Sequence, residues 1–330
     1  MTSALRKSLN VLLSAILLAW LGTIAAPASA QGYPIRPITL VVPFPPGGSA
    51  TIIARIIADK LGDALGQQIV VDNRGGAGGS IAARQVARSA PDGYTILLAF
   101  TGTLAVSPAI FSNVGYDPRK DFAGIGLIGM APSVFAVHPS MPARSVADLI
   151  ALAKASPGRL QYGSPGIGTT NHLAGELLAS MAGIKIAHIP YKGTGPAVND
   201  LLGGHISMMF VPFPAAHGNV SAGTLRALGV TSLQRSRLLP DIPTVAEAGL
   251  PGFEVVQRST LLAPAGTPRL IIERLNTELN AVLATDEVRK RLALEGAEPI
   301  PGAPEEYAAD IDREETRWSK LVNAIGLKGE

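Results

Sequence analysis

The stretch Ile38-Thr39-Leu40-Val41-Val42-Pro43-Phe44-Pro45-Pro46-Gly47-Gly48-Ser49 decides the fold. Its first five residues form a short, nearly continuous apolar run, the pattern of a strand buried on both faces of a parallel sheet. Its last seven lead into a segment where Ile53, Ile56, Ile57, Leu61 and Leu65 recur at spacings of three and four, one apolar face of a helix. Ile69–Val71 and Tyr94–Ala99 are further buried strands, so the pattern is strand, helix, strand: an α/β layer. In open α/β sheets, ligands bind beyond the carboxyl ends of the strands, where Pro43–Ser49 lies. The helix start that follows has unpaired N–H groups and a partial positive charge, which favour an anion. Prolines stiffen the segment, and Gly47 and Gly48 let backbone approach a ligand. The same residues also suit a tight strand–helix turn with no ligand, and the segment alone does not separate the two.

A second set of strands is expected at Ser133–His138, Leu160–Gly163, Ile186–Ile189, Ile206–Phe210 and Leu225–Thr231. Ser145-Val146-Ala147-Asp148 resembles a capping box, Leu173, Leu177 and Met181 share a helical face that Gly183 ends, and Pro196 opens a helix through Leu202. Helices are expected from Thr267-Pro268, over Asp286–Leu294, and over Pro304–Ile325 with Tyr307, Ile311, Trp318 and Ile325 on one side. Gly163-Ser164-Pro165-Gly166-Ile167-Gly168-Thr169-Thr170 joins a strand to a helix just as Pro43–Ser49 does, and offers backbone and hydroxyl donors to a carboxylate. Two such turns, one from each set, are stronger than one, because they can face one another across a cleft.

Other chemistries fit poorly. Gly75–Ser80 resembles a phosphate-binding turn but lacks the P-loop lysine and dinucleotide glycine spacing. The histidines at 138, 172, 188, 205 and 217 show no metal-binding spacing, and His188, inside an apolar strand, reads as a satisfied core histidine. Tyr162 stands where a Gly-x-Ser-x-Gly elbow around Ser164 needs glycine. No nucleophile, base and orienting partner can be nominated, so no catalytic residue, metal or cofactor is expected.

Residues 1–30 read as a secretory signal: basic Arg6 and Lys7, apolar Val11–Leu21, then Ala28-Ser29-Ala30. The apolar stretch falls short of a bilayer span, and no cysteine follows it for lipid attachment. Cleavage near Ala30-Gln31 brings the net charge from +3 to +1, with no basic run and few aromatics, which argues against nucleic acid. Export without cysteine fits the bacterial periplasm, and about 300 mature residues suggest two domains.

With these residues in view, the chain resembles the Bug family of receptors for tripartite tricarboxylate transporters. The landmarks are Tyr33–Ile38, Val42–Gly48, Val71-Asp72-Asn73-Arg74, Ala90–Tyr94, Tyr116-Asp117-Pro118, His172–Leu177, Ile189–Gly193, Asp241–Gly249 and Leu262–Pro268. The resemblance implies a type II periplasmic-binding-protein fold: two α/β domains with a ligand cleft between them. With extended crossings at Phe122–Gly129 and Phe253–Leu262, residues 31–124 and 253–330 form a discontinuous domain 1, and 125–252 form domain 2. It also implies capture of a small di- or tricarboxylate-like anion by hinge closure, mainly through backbone groups and water. The matching positions are Phe44, Pro45, Pro46, Gly47, Gly48 and Ser49 on one wall and Ser164, Gly166, Gly168, Thr169 and Thr170 on the other, with Thr101 and Thr103 near the same cleft. Partners would be membrane permease subunits, or a sensor protein in a signalling variant; an exported enzyme on the same scaffold is the remaining alternative.

Three departures stand out: Thr51 and Val211 where relatives often carry Asp, and Val255–Ser259 where a Trp is frequent. The last places Arg258 near the site, where its guanidinium fork is expected to pair with a second anionic group of the ligand. The alternatives are that it points to solvent or pairs with Glu254. Thr51 also leaves an ammonium group without an obvious partner, which disfavours amino-acid ligands.

Overall fold

The computed structural model describes residues 32–327, so the signal segment and its cleavage point lie outside the described residues. The chain divides into two compact units at Ile35/Arg36; of the first only Gly32–Ile35 are described, and the fold below is that of the second.

Strands β1 (Ile38–Val42), β2 (Ile69–Asn73) and β3 (Thr95–Phe100) lie side by side in the order β2-β1-β3, with β1 parallel to both neighbours. Helix α1 (Ser49–Leu65) connects β1 to β2, and α2 (Ser80–Ala87) lies between β2 and β3. The predicted face of α1 is the one it buries: Ile53, Ile56, Ile57 and Leu61 are each at most 4% exposed. Each such side chain contributes roughly 1.5–3 kcal/mol by leaving water. Gly66, left-handed at φ 70°, closes the helix. After β3 the chain forms a π turn, Gly102–Val106, and a one-turn helix α3 (Ser107–Ile110).

β4 (Phe122–Val137) is the longest strand at 16 residues and belongs to two sheets. Its first part, Phe122–Pro132, pairs antiparallel with β9 (Val256–Pro264), which itself pairs antiparallel with β3. Its second part, Ser133–Val137, pairs antiparallel with β7 (Met208–Pro212), and Val134–Val137 also pair with β8 (Arg226–Val230). β5 (Gln161–Ser164) is parallel to both β7 and β6 (Ala187–Pro190). The path is therefore β2-β1-β3-β9-β4-β7-β5-β6, a parallel group at each end joined by two long antiparallel strands.

The expected crossings are thus strands, and β4 is longer than the Ser133–His138 predicted. Glycine and proline in Phe122–Pro132 conceal that extension, since both weaken strand propensity. Here the glycines permit close approach. A Cβ on Gly124 would lie 2.5 Å from the Tyr307 Cβ, and one on Gly129 would lie 2.6 Å from the Glu298 carbonyl oxygen. Those contacts belong to α10 (Glu306–Ile325) and β10 (Glu298–Pro299), which lie directly on β4.

The remaining helices are α4 (Val146–Ala155), α5 (Thr170–Ala182), α6 (Thr194–Leu202), α7 (Phe213–Ser221), α8 (Arg269–Ala284) and α9 (Asp286–Leu294). Local chemistry sets their ends. Ser145 Oγ accepts from the Asp148 N–H at 3.1 Å, and Gly183 ends α5 at φ 61°. On α10, Tyr307, Ile311 and Trp318 are buried as predicted, while Ile325 is partly exposed; Asp310 and Glu314 are buried on the same helix.

Candidate functional site

The parallel strands place their following turns at their carboxyl ends: Pro43–Gly48 after β1, Arg74–Gly79 after β2, Thr101 onward after β3, and Pro165–Thr169 after β5. The first turn is braced from below. Phe44 sets its ring edge-on to Phe100, 5.6 Å between centroids, and its carbonyl accepts from Asn73 Nδ2 at 2.8 Å. The same amide nitrogen donates to Thr51 Oγ1 at 2.9 Å, which gives buried Thr51 a structural role. Pro45 packs so closely on Gly75 that a Cβ there would lie 2.7 Å from the Pro45 ring. Pro45, Pro46, Gly47 and Gly48 are exposed, and Gly47 is left-handed at φ 97°.

Gly48 caps α1 without a side chain. Its carbonyl takes the N–H groups of Thr51 and Ile52 at 2.9 and 3.2 Å. Ser49 Oγ donates to Glu295 Oε2 at 2.5 Å, so a carboxylate of the fold already stands at this helix start.

Thr101 and Thr103 are both buried. Thr101 Oγ1 accepts from the Arg258 N–H at 3.0 Å, and Thr103 Oγ1 donates to the Gly78 carbonyl at 3.2 Å. Between them, Gly102 brings the two sheets' turns together: a Cβ there would lie 3.0 Å from the Gly168 carbonyl oxygen and 3.7 Å from Thr169 Cα. Ser107 has a buried hydroxyl with no hydrogen-bond partner among the described residues, and it lies against Gly78 and Gly168.

The turn after β5 is knit by its own hydroxyls. Ser164 Oγ accepts from the Gly166 N–H at 3.1 Å and stands 2.7 Å from His188 Nε2. Thr169 Oγ1 donates to the Gly166 carbonyl at 2.8 Å and accepts from the His172 N–H at 3.3 Å, capping α5. Thr170 Oγ1 donates to Gln257 Oε1 of β9 at 3.2 Å, and Gly166 and Gly168 hold positive φ of 147° and 82°. Asn171 Nδ2 donates to the Phe210 carbonyl at 2.6 Å, fixing the start of α5 to β7.

Every candidate hydroxyl in these segments therefore has a partner inside the fold, and the side chains shape the turns while the main chain presents their surface. The turn at Ile167–Thr170 meets that at Gly102 directly. Pro43–Ser49 connects to the same assembly through Gly75–Gly79: Gly79 would clash with Pro43 and Thr103 if it carried a Cβ.

Arg258 has partners that the sequence did not suggest. Its Nη1 lies 3.2 Å from Asp310 Oδ1 and its Nε 3.4 Å from Glu314 Oε1, with the side chain 16% exposed. Two carboxylates of α10, which Arg313 also approaches, thus face its guanidinium inside the fold. Neither of the two alternatives is seen, since Arg258 is not in solvent and Glu254 pairs with Arg317 at 3.5 Å. Sequence reading missed this because the partners lie some fifty residues downstream, on a helix read only for its apolar residues.

It also missed the ring stack under the second turn. The His172 and His188 rings lie 4.0 Å apart at 21°, and Tyr162 stacks on His188 at 4.8 Å. Burial lowers both histidines, His172 to about 3, aided by the neighbouring His188, and His188 to about 4. The 2.7 Å Ser164–His188 contact has the outline of a nucleophile and base, but Ser164 is fully buried and spent on its own turn. Among the described residues no cluster of His, Asp or Glu is arranged to hold a metal, and no helix is long and apolar enough to cross a membrane.

The family model described as tripartite tricarboxylate transporter family receptor matches residues 53–327. Protein BugT of Bordetella pertussis is 40% identical over 306 residues, 92% of this chain and 94% of that protein. Among solved structures, Rpa4515 of R. palustris with adipate is 40% identical with a TM-score of 0.84, covering 90% of this chain and 99% of that one. MatC of Rhodopseudomonas palustris with bound malate is 32% identical with a TM-score of 0.80, covering 88% and 100%.

Proposed function

The chain belongs to the tripartite tricarboxylate transporter receptor family, a family of binding proteins with the mixed α/β periplasmic-binding-protein fold of type II, and on that premise we propose that it captures a small dicarboxylate in the periplasm. The ligand's carboxylate is received between the turns Pro43–Ser49 and Ser164–Thr170, with Thr101 and Thr103 beside them. The observation that carries this reading is the direct meeting of Gly102 with Gly168–Thr169, with the hydroxyls around it already bonded internally. Main-chain N–H groups at turns and helix starts are what remains to receive an anion.

Adipate and malate, held by two relatives, carry a carboxylate at each end. In this chain the second carboxylate is met without Arg258. Residues 31–124 with 253–330 form one domain and 125–252 the other, and β4 and β9 act as the hinge between them. Closure about the ligand gives membrane permease subunits a shape to recognise. Export follows from the signal segment, with cleavage near Ala30.

Calorimetric titration of the purified protein with adipate, malate and the monocarboxylate hexanoate tests the reading. Saturable binding of a dicarboxylate, at least about tenfold tighter than hexanoate, a difference of roughly 1.4 kcal/mol, is expected. No heat with either dicarboxylate, or equal affinity for hexanoate, contradicts it.

A further inference from the structure

The stacked histidines under the second turn do more than fill space, because each touches the turn through a ring nitrogen. Gly168 N–H donates to His172 Nδ1 at 3.3 Å, so Nδ1 is the unprotonated nitrogen and Nε2–H faces Glu176, 3.8 Å away. Glu176 is itself held by the Tyr162 hydroxyl at 2.6 Å. His188 Nε2 meets Ser164 Oγ, which takes the Gly166 N–H. Two alternate amides of the turn, at 166 and 168, are thereby fixed from beneath, one through a serine and one directly. We propose that His172 and His188 are positioning residues for ligand binding: a neutral stacked pair that sets which backbone N–H groups of Ser164–Thr169 turn inward and which stay free for the carboxylate. This rests on the turn being one wall of the binding site.

The environment makes neutrality a requirement. Tyr162 and Ser164 come from β5, His188 from β6, and His172 and Glu176 from α5. The adjacent strand β7 carries no ionisable side chain, and α10 adds apolar Leu321 and Val322 to the core shared with Leu173 and Leu178 of α5. Asp200 of α6 is engaged by the Tyr191 hydroxyl at 2.6 Å. Glu176 is the single carboxylate beside the pair in this set, and it lies on the Nε2 side of His172. A proton added to His172 Nδ1 would set a donor against the Gly168 N–H, and a second charge would stand in the ring 4.0 Å away. The turn would have to let go of Gly168.

Four variants separate the ring from its nitrogen. His172→Asn and His188→Gln keep a polar atom near Nδ1 and Nε2 respectively, whereas His172→Phe and His188→Phe keep the stack and lose the polar contact. The readout is amide hydrogen exchange in the segment 163–170 of the unliganded protein, with β3 as the internal reference, and the dissociation constant for adipate or malate at neutral pH. The Phe variants should lose protection in 163–170 by about tenfold, the scale of one lost hydrogen bond, and weaken binding by a similar factor. The Asn and Gln variants should retain both. In the unaltered protein, protection at 163–170 should fall before that of β3 as the solution is acidified, and in each Phe variant, which keeps one of the two histidines, this early loss should be smaller. Unchanged protection and unchanged affinity in His172→Phe and His188→Phe would overturn the proposal. If either Phe variant fails to fold, His172→Leu or His188→Leu takes its place, with loss of protection in 163–170 expected and its retention contrary. Should the unaltered protein bind no carboxylate, the functional reading fails while the exchange measurement still decides whether the histidines hold the turn.

Discussion

Arg258 shows how a residue's surroundings redefine its chemistry. A guanidinium near a proposed anion site suggests recognition, yet here it faces Asp310 and Glu314, both nearly buried on α10. Removing the cation would leave two buried carboxylates with only the half-exposed Arg313 as a positive partner, Glu314 keeping the Trp318 Nε1–H at 3.0 Å. Arg258→Ala should therefore destabilise the protein by about 3–5 kcal/mol, the cost of breaking a buried ion pair from one side, which thermal or urea unfolding measures. Dicarboxylate affinity of the folded fraction should change little. The histidines carry a second residue-scale prediction. Both are lowered from 6.5, His188 to about 4 and His172 to about 3, so the unfolded chain binds protons that the folded one refuses. Their contribution to stability is full above pH 6.5 and is lost as pH falls from there toward 4 and then 3. Unfolding free energies across that range should decline in the unaltered protein and decline less in His188→Phe. At this scale the sequence was readable where the partner is local, as for Ser145 and Asp148. It was silent where the partner is distant: nothing in Val255–Ser259 points to Asp310, and nothing at His172 points to His188.

Elements were more legible than contacts. Helices over Ser49–Leu65, Thr170–Ala182 and Asp286–Leu294 follow from apolar spacing with capping or terminating residues, and the parallel strands follow from short Val- and Ile-rich runs. β4 is the exception, because Gly124, Gly126 and Gly129 break the apolar pattern of a strand while serving its packing against α8, α10 and β10. The same trade occurs at Gly102, whose lack of a side chain lets the turn after β3 touch the turn after β5. Gly102→Val would place a Cβ 3.0 Å from the Gly168 carbonyl oxygen and force the two turns apart. Overpacking of this kind costs roughly 1–3 kcal/mol. That cost should appear in carboxylate affinity, by calorimetry, more than in the melting temperature, because the contact joins two turns rather than the interior of either sheet.

For the whole molecule, the path β2-β1-β3-β9-β4-β7-β5-β6 puts two parallel groups at the ends of one pair of long strands. The α/β class, the two strand sets and the candidate turns were all within reach of the sequence, since each depends on local period and punctuation. How the turns meet was not, because it depends on which glycines abut between segments some sixty residues apart, as Gly102 and Gly168 do. The central claim is that both turns, one at each end of that path, close on the same anion. Hydrogen exchange with and without saturating adipate tests it most directly. The account predicts that ligand protects residues 43–52 and 164–171 together, with β3 unchanged; protection confined to one of these segments, or found only elsewhere, would contradict it.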